Sequence, residues 1–288
     1  MPKRDQSKYD IVVEGEPKEV TEIRKKILDT FGDLEFVDEG HKYFLHGKEL
    51  TPVSTIVSRF EEPFDTVAKA TKYADDHGGT PEYWMDKWKF NNLKAVISGT
   101  QIHGFAESLA WIHMGHPENI VEDNKYKYIA DKGWLIPTRP KEESALQFWE
   151  NFPKDMWVVL PETKIYSGSN PNLPKFKEDF AGTMDLLMYY KHPTDDRKSG
   201  LVLGDWKTNG ELYKEFSRAK RKMMYPPFQN YFDEPYGGYT TQLAAYQIPL
   251  EDIGLKVIGR RIIWLKEDGY EVIPVNDETK ILREYLLQ

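Results

Sequence analysis

Two acidic segments in the second half of this 288-residue chain carry the clearest chemistry: Ala181-Gly182-Thr183-Met184-Asp185 and Gly204-Asp205-Trp206-Lys207-Thr208. Two carboxylates hold a hard divalent cation through oxygen. An ammonium two residues from one of them can orient an attacking water or offset charge building on a phosphate. Other residues of suitable type lie at telling spacings. Glu162 sits in the apolar run WVVLPETKIY, where it serves as a third acid or as half of a salt bridge. His103 and Glu107 are four apart, as are Gln242 and Tyr246, and that spacing on a helix puts both members on one face. Taken singly, His103 reads equally as a structural histidine, and Tyr246 as a half-buried core residue with its hydroxyl at the rim.

Elements that would position these groups follow from periodicity. FAGTMDLLMYY and LVLGDWKT are rich in aliphatic and aromatic residues, and KHPTDDRKSG between them is a run of turn formers and charges. An antiparallel hairpin is expected, with Asp205 and Lys207 on one face by alternation. TQIHGFAESLAWIHM carries a helical apolar stripe (Ile102, Phe105, Ala106, Leu109, Ile112) behind a cap at Ser98 or Thr100, and YTTQLAAYQIPL reads as a second helix.

In chain order, His103, Glu162, Gly182-x-x-Asp185, Asp205-x-Lys207 and Gln242-x-x-x-Tyr246 resemble the PD-(D/E)xK nuclease superfamily, and within it the RecB-like exonucleases. KYFLHGKELTPVSTIVSRF, with His103-Gly-Phe-Ala-Glu107 after Gly99-Thr100, looks closest to phage and bacterial relatives of the mitochondrial genome maintenance exonuclease. The resemblance implies an α/β, restriction-endonuclease-like core with a mixed central sheet flanked by helices. It further implies metal binding by His103, Asp185, Asp205 and the Trp206 carbonyl. Lys207 would be catalytic together with the acids Asp205, Asp185 and Glu162, and Glu162 could touch a second ion. Gln242, Tyr246, Glu107 and Thr208 would support the site and the DNA. The cofactor expected is Mg²⁺ or Mn²⁺, one or two ions, and the substrate DNA, single-stranded with a free end.

The absence of cysteine removes disulfides, zinc–thiolate sites, catalytic thiols and the four-cysteine iron–sulfur cluster of some RecB-like nucleases. No run approaches the roughly twenty apolar residues of a membrane helix. The N-terminal segment lacks an apolar signal core, so a cytoplasmic location is expected; a monomer is favoured, though the sequence does not fix the oligomeric state. A formal net charge of −8 is unusual for a chain that meets phosphates. Locally, however, Arg218-Ala-Lys220-Arg221-Lys222 is basic and runs into the aromatic stretch containing Met223, Met224, Tyr225, Phe228, Tyr231, Phe232 and Tyr236. It is either a solvated helix face or a basic, stacking path for unpaired bases.

Along the chain, residues 1–33 read as a tail and a helix, and 34–288 as one domain with a hairpin over 34–50. Helices over 52–72 and 81–97 form an insertion about 52–97, rich in Tyr83, Trp84, Trp88 and Phe90: either a packed helical hairpin or an arch over the site. No element is assigned over 124–141. Three other functions share these residues: an endonuclease with the same core, a DNA-binding relative without cleavage, and a small-molecule phosphoesterase.

Overall fold

The computed structural model describes residues 11–288, so the beginning of the expected tail lies outside the described residues. Helix α1 (Lys18–Phe31) leads into a meander of β1 (Leu34–Val37), β2 (Lys42–Leu45) and β3 (Lys48–Pro52). Next come α2 (Val53–Ser58), α3 (Thr66–His77) and the 33-residue α4 (Pro81–His113). A two-stranded ribbon, β4 (Tyr128–Ile129) with β5 (Trp134–Leu135), precedes α5 (Pro140–Glu150), β6 (Met156–Tyr166), β7 (Phe180–Tyr190) and β8 (Gly200–Lys207). The chain ends with α6 (Glu215–Ala219), α7 (Pro235–Asp252), β9 (Val257–Lys266), β10 (Gly269–Pro274) and α8 (Thr279–Leu287).

The result is a mixed α/β fold around an eight-stranded sheet ordered β1-β2-β3-β7-β8-β9-β10, with β6 paired along the other edge of β7. β8 is buried along nearly its whole length, as expected for a strand held between antiparallel β7 and parallel β9. Helices cover both faces. Trp206 packs edge-on against Phe148 of α5, and Lys207 meets Gln242 of α7 on the opposite side. Buried Arg24 of α1 pairs with Glu16 at 2.6 Å and donates to the Val158 and Val159 carbonyls, fixing α1 to β6.

Three boundaries differ from the sequence reading. The helix expected over 52–72 is two, because Pro63 cannot continue a helix and Asp65 caps α3 by accepting from the Ala68 N–H at 2.9 Å. The helices expected over 81–97 and 100–114 are one. Thr80 caps it by accepting from the Tyr83 N–H, with Pro81 in the first turn, and Ser98 and Thr100 cap nothing. A glycine inside a helix, here Gly99 and again Gly104, costs only about 1 kcal/mol, and burial of Ile102, Phe105, Ala106 and Leu109 offsets it. The hairpin over 34–50 has a third strand, β3, which joins the central sheet at Phe180 and Ala181. The unassigned 124–141 stretch is held by a buried ion pair, Lys127 to Glu142 at 2.7 Å, whose carboxylate also accepts the Thr138 N–H and hydroxyl.

Candidate active site

The site forms where the sheet forks. One edge of β7 pairs with β3 at Phe180 and Ala181, then with β8 from Leu186 to Tyr190. Its β8 ladder ends at the Leu186–Gly204 pair, and beyond that point β8 stays on β9. Into this divergence projects Asp185, whose Oδ2 accepts the Trp206 N–H at 2.7 Å. Asp205 and Lys207 follow on the departing strand. Residues expected from the motifs converge here from five elements: His103 and Glu107 from α4, Glu162 from β6, Asp185 from β7, Asp205 and Lys207 from β8, and Gln242 and Tyr246 from α7.

Each aspartate has a cationic neighbour. His103 Nδ1 lies 3.5 Å from Asp185 Oδ1, and Lys207 Nζ lies 2.5 Å from Asp205 Oδ2. The Lys207 ammonium is the partner of buried Asp205 Oδ2. Lys207 also donates to Gln242 Oε1 at 3.1 Å and sits 4.1 Å above the Tyr239 ring, while Gln242 Nε2 donates to the Tyr246 hydroxyl at 2.8 Å. The α7 pair therefore fixes the lysine from behind. Glu107 accepts from the Trp111 indole at 3.2 Å. Thr208 abuts Gly99 of α4, and its carbonyl accepts from Lys141 at 2.6 Å, tying the end of β8 in place.

Charge is unevenly distributed. Four acids, Glu107, Glu162, Asp185 and Asp205, share this region with the Lys207 ammonium, with Lys164 beside Glu162, and with His103, whose pKa Asp185 raises against the effect of burial. Burial, reinforced by Asp185, Glu107 and Asp205, pushes the Glu162 carboxyl well above its ordinary range. Burial pushes Asp205 up to about 6 against the opposing pull of Lys207. Asp185 moves the other way: burial alone would raise it, but His103, Lys207 and the Trp206 N–H together hold it low. Burial would strip the proton from Lys207, yet Asp205 and Asp185 raise its pKa and keep it an ammonium. Glu162 adds backbone strain: its φ of 45° lies in the left-handed region, inside a strand, opposite the Asp185 end of the fork. Such strain recurs at functional sites.

The donor set suits a hard divalent ion. Carboxylate oxygens in excess of internal cations, with one imidazole among them, match Mg²⁺ or Mn²⁺ chemistry. Among the described residues no three His, Asp or Glu side chains stand at joint ligand distance. Trp206 contributes its N–H to Asp185, and its indole lies in the core against Phe148 and Trp149. A cavity of about 860 Å³ adjoins the acids, walled by Glu107, Trp111, Glu162 and residues of α1.

The basic run falls outside this cluster. Arg218 is bound to the buried carboxylate of Glu234 at 2.8 Å, and Lys222 to Glu62 and Asp233, each at 2.8 Å. Lys220 and Arg221 are exposed. Met224, Phe228 and Tyr231 are core residues, so much of the expected stacking path is packing; Tyr225 stays exposed. Motif reasoning missed Tyr43, whose hydroxyl lies 3.1 Å from Thr183 Oγ1, and Tyr239. Tyr239 was detectable, being three residues before Gln242 on the same helix, whereas nothing local marks Tyr43.

The glycine of G-x-x-D has a steric reason. A Cβ at Gly182 would stand 2.6 Å from Tyr246 Cε1 and 3.1 Å from Val53 Cγ2. Gly182→Ala is expected to displace Tyr246, cost about 1–3 kcal/mol of stability by overpacking, and slow any reaction that depends on Lys207. Urea unfolding of the variant checks this, and wild-type stability would contradict it.

No protein-family model matches the chain, and no curated protein does. Among solved structures, a protein from Eubacterium rectale provisionally described as an exonuclease superposes with a TM-score of 0.37 at 14% identity. The match covers 82% of this chain and 68% of that one. Similarity this low carries no functional argument. No helix among the described residues is long and apolar enough to cross a membrane.

Proposed function

We propose that the chain is a divalent-metal-dependent DNA exonuclease of the PD-(D/E)xK type, acting on single strands from a free end. What carries the reading is the fork: the spaced motifs meet there, with an excess of carboxylate over internal cation and one lysine held by Gln242. Asp185, Asp205 and His103 are the residues that would hold Mg²⁺ or Mn²⁺, with Glu162 at the margin of the same cluster. The ion supplies Lewis-acid polarisation of the phosphate and an acidified water.

The protein's own groups do the positioning. Lys207 brings a fixed positive charge and three N–H donors to the reacting phosphate, and its Gln242 contact sets its direction. Tyr246, a neutral hydroxyl because burial and the neighbouring Asp205 hold its pKa well above the ordinary value, keeps Gln242 in place. Asp185, kept ionised by His103 and the Trp206 N–H, offers a carboxylate at any working pH.

The preference for a free end rests on α3 and the outer half of α4, which pack chiefly on one another. Trp84 and Trp88 are bound up with Tyr73 in that hairpin, whereas Tyr83, Phe90, Leu93 and Ile97 are exposed, with Lys87 and Lys94 lying over Trp84 and Phe90. Exposed rings beside lysines favour unpaired bases, and α4 carries them toward His103. Linear single-stranded DNA is therefore expected to be degraded well ahead of closed single-stranded circles. Equal rates on the two would refute end entry and favour an endonuclease with an open cleft.

A further inference from the structure

A second pocket lies on the sheet face opposite the carboxylates. Along β8, Val202, Gly204 and Trp206 alternate with Leu203, Asp205 and Lys207. Val202 lines a cavity of about 540 Å³ whose walls include Phe148, Phe152, Met188, Tyr190, Ile263 and Val272. This volume is typical of small-molecule sites. Three polar side chains join these apolar walls, Asn151, Asp155 and Arg261, and the guanidinium of Arg261 is the cation among them.

Arg261 is half-buried, and its Nη1 donates to the Arg260 carbonyl at 2.9 Å. A guanidinium carries five N–H donors. No carboxylate among the described residues pairs with it: Asp155 lines the same cavity without forming an ion pair, and neighbouring Arg260 is already matched by Asp277 at 3.1 Å. Burial, with Arg260 beside it, lowers the Arg261 pKa. Space for the guanidinium depends on Gly259, where a Cβ would stand 3.3 Å from Nη1. An unmatched cation in apolar surroundings is costly to the folded state, and guanidinium geometry suits carboxylate and phosphate.

The geometry points to a binding site for a small amphipathic anion, a carboxylate or phosphate on an aliphatic or aromatic body, with Arg261 taking the head group. This site is independent of the nuclease reading. Calorimetric titration of the full chain tests it with octanoate and phenyl phosphate as probes, and octanol and inorganic phosphate as body-only and head-only controls. Saturable binding of at least one probe, at least tenfold tighter than that of octanol and of inorganic phosphate, is expected. Arg261→Gln, folded by circular dichroism, should weaken that binding tenfold or more. Val272→Glu, at the exposed rim, should do the same and stands in if Arg261→Gln does not fold. No binding by either probe, equal binding of octanol, or unchanged affinity in the folded variants would overturn the proposal.

Discussion

Asp205→Asn and Lys207→Ala are each expected to lower phosphodiester hydrolysis by at least about 100-fold, the scale of losing one preorganised electrostatic group in a dry site, while the chain remains folded. Both residues lie past the last β7 pair, and their pairing with β9 is made by backbone atoms that either substitution leaves in place. The asparagine variant should also be more stable than the wild type when divalent ions are absent. Because the folded environment pushes the Asp205 carboxyl up to about 6, its ionised form destabilises the fold at neutral pH, and this penalty fades as pH falls through that value. The stability advantage of Asp205→Asn over the wild type should therefore shrink between about pH 7 and the ordinary carboxylate range. Melting curves across that range, with hydrolysis rates in excess Mn²⁺, measure both effects. A wild-type rate in either variant would place the chemistry elsewhere. His103→Ala should cost less, and Tyr246→Phe less again, since each stands further from the reacting phosphate.

Chelation should abolish hydrolysis, and excess Mn²⁺ or Mg²⁺ should restore it. A phosphodiester is anionic, and the site it must approach gathers four acids, with His103 and Lys207 already placed on Asp185 and Asp205 and Lys164 beside Glu162. Without an added divalent charge the approach is repelled. Ca²⁺ is expected to support DNA binding without turnover, because its larger and looser shell positions water poorly. Undiminished cleavage in excess EDTA would defeat the assignment of Asp185 and Asp205 as ligands.

Much of this arrangement was legible in the sequence, and the exceptions have physical causes. Strands β7 and β8 were readable because apolar runs bounded by turn formers are local signals, and helix α7 was readable from its pattern of side chains. The split of 52–72 was legible in Pro63, whereas the fusion across Gly99 was not, since tertiary burial outweighs one glycine. The fork could not be read at all: it depends on β7 exchanging β3 for β8 along one edge, a pairing between residues more than a hundred apart. The left-handed backbone at Glu162 is equally nonlocal. Charge runs misled for a related reason, because the partners of Arg218 and Lys222, Glu234 and Glu62, become neighbours only after folding.

The most direct test of the central claim is digestion of an end-labelled linear single-stranded oligonucleotide by the wild type and by Lys207→Ala, each with Mn²⁺ and with EDTA. Shortened products should accumulate only with the wild type in Mn²⁺. Products of equal yield from the folded Lys207→Ala protein, or from the wild type in EDTA, would contradict a metal-dependent nuclease site at the β7–β8 fork.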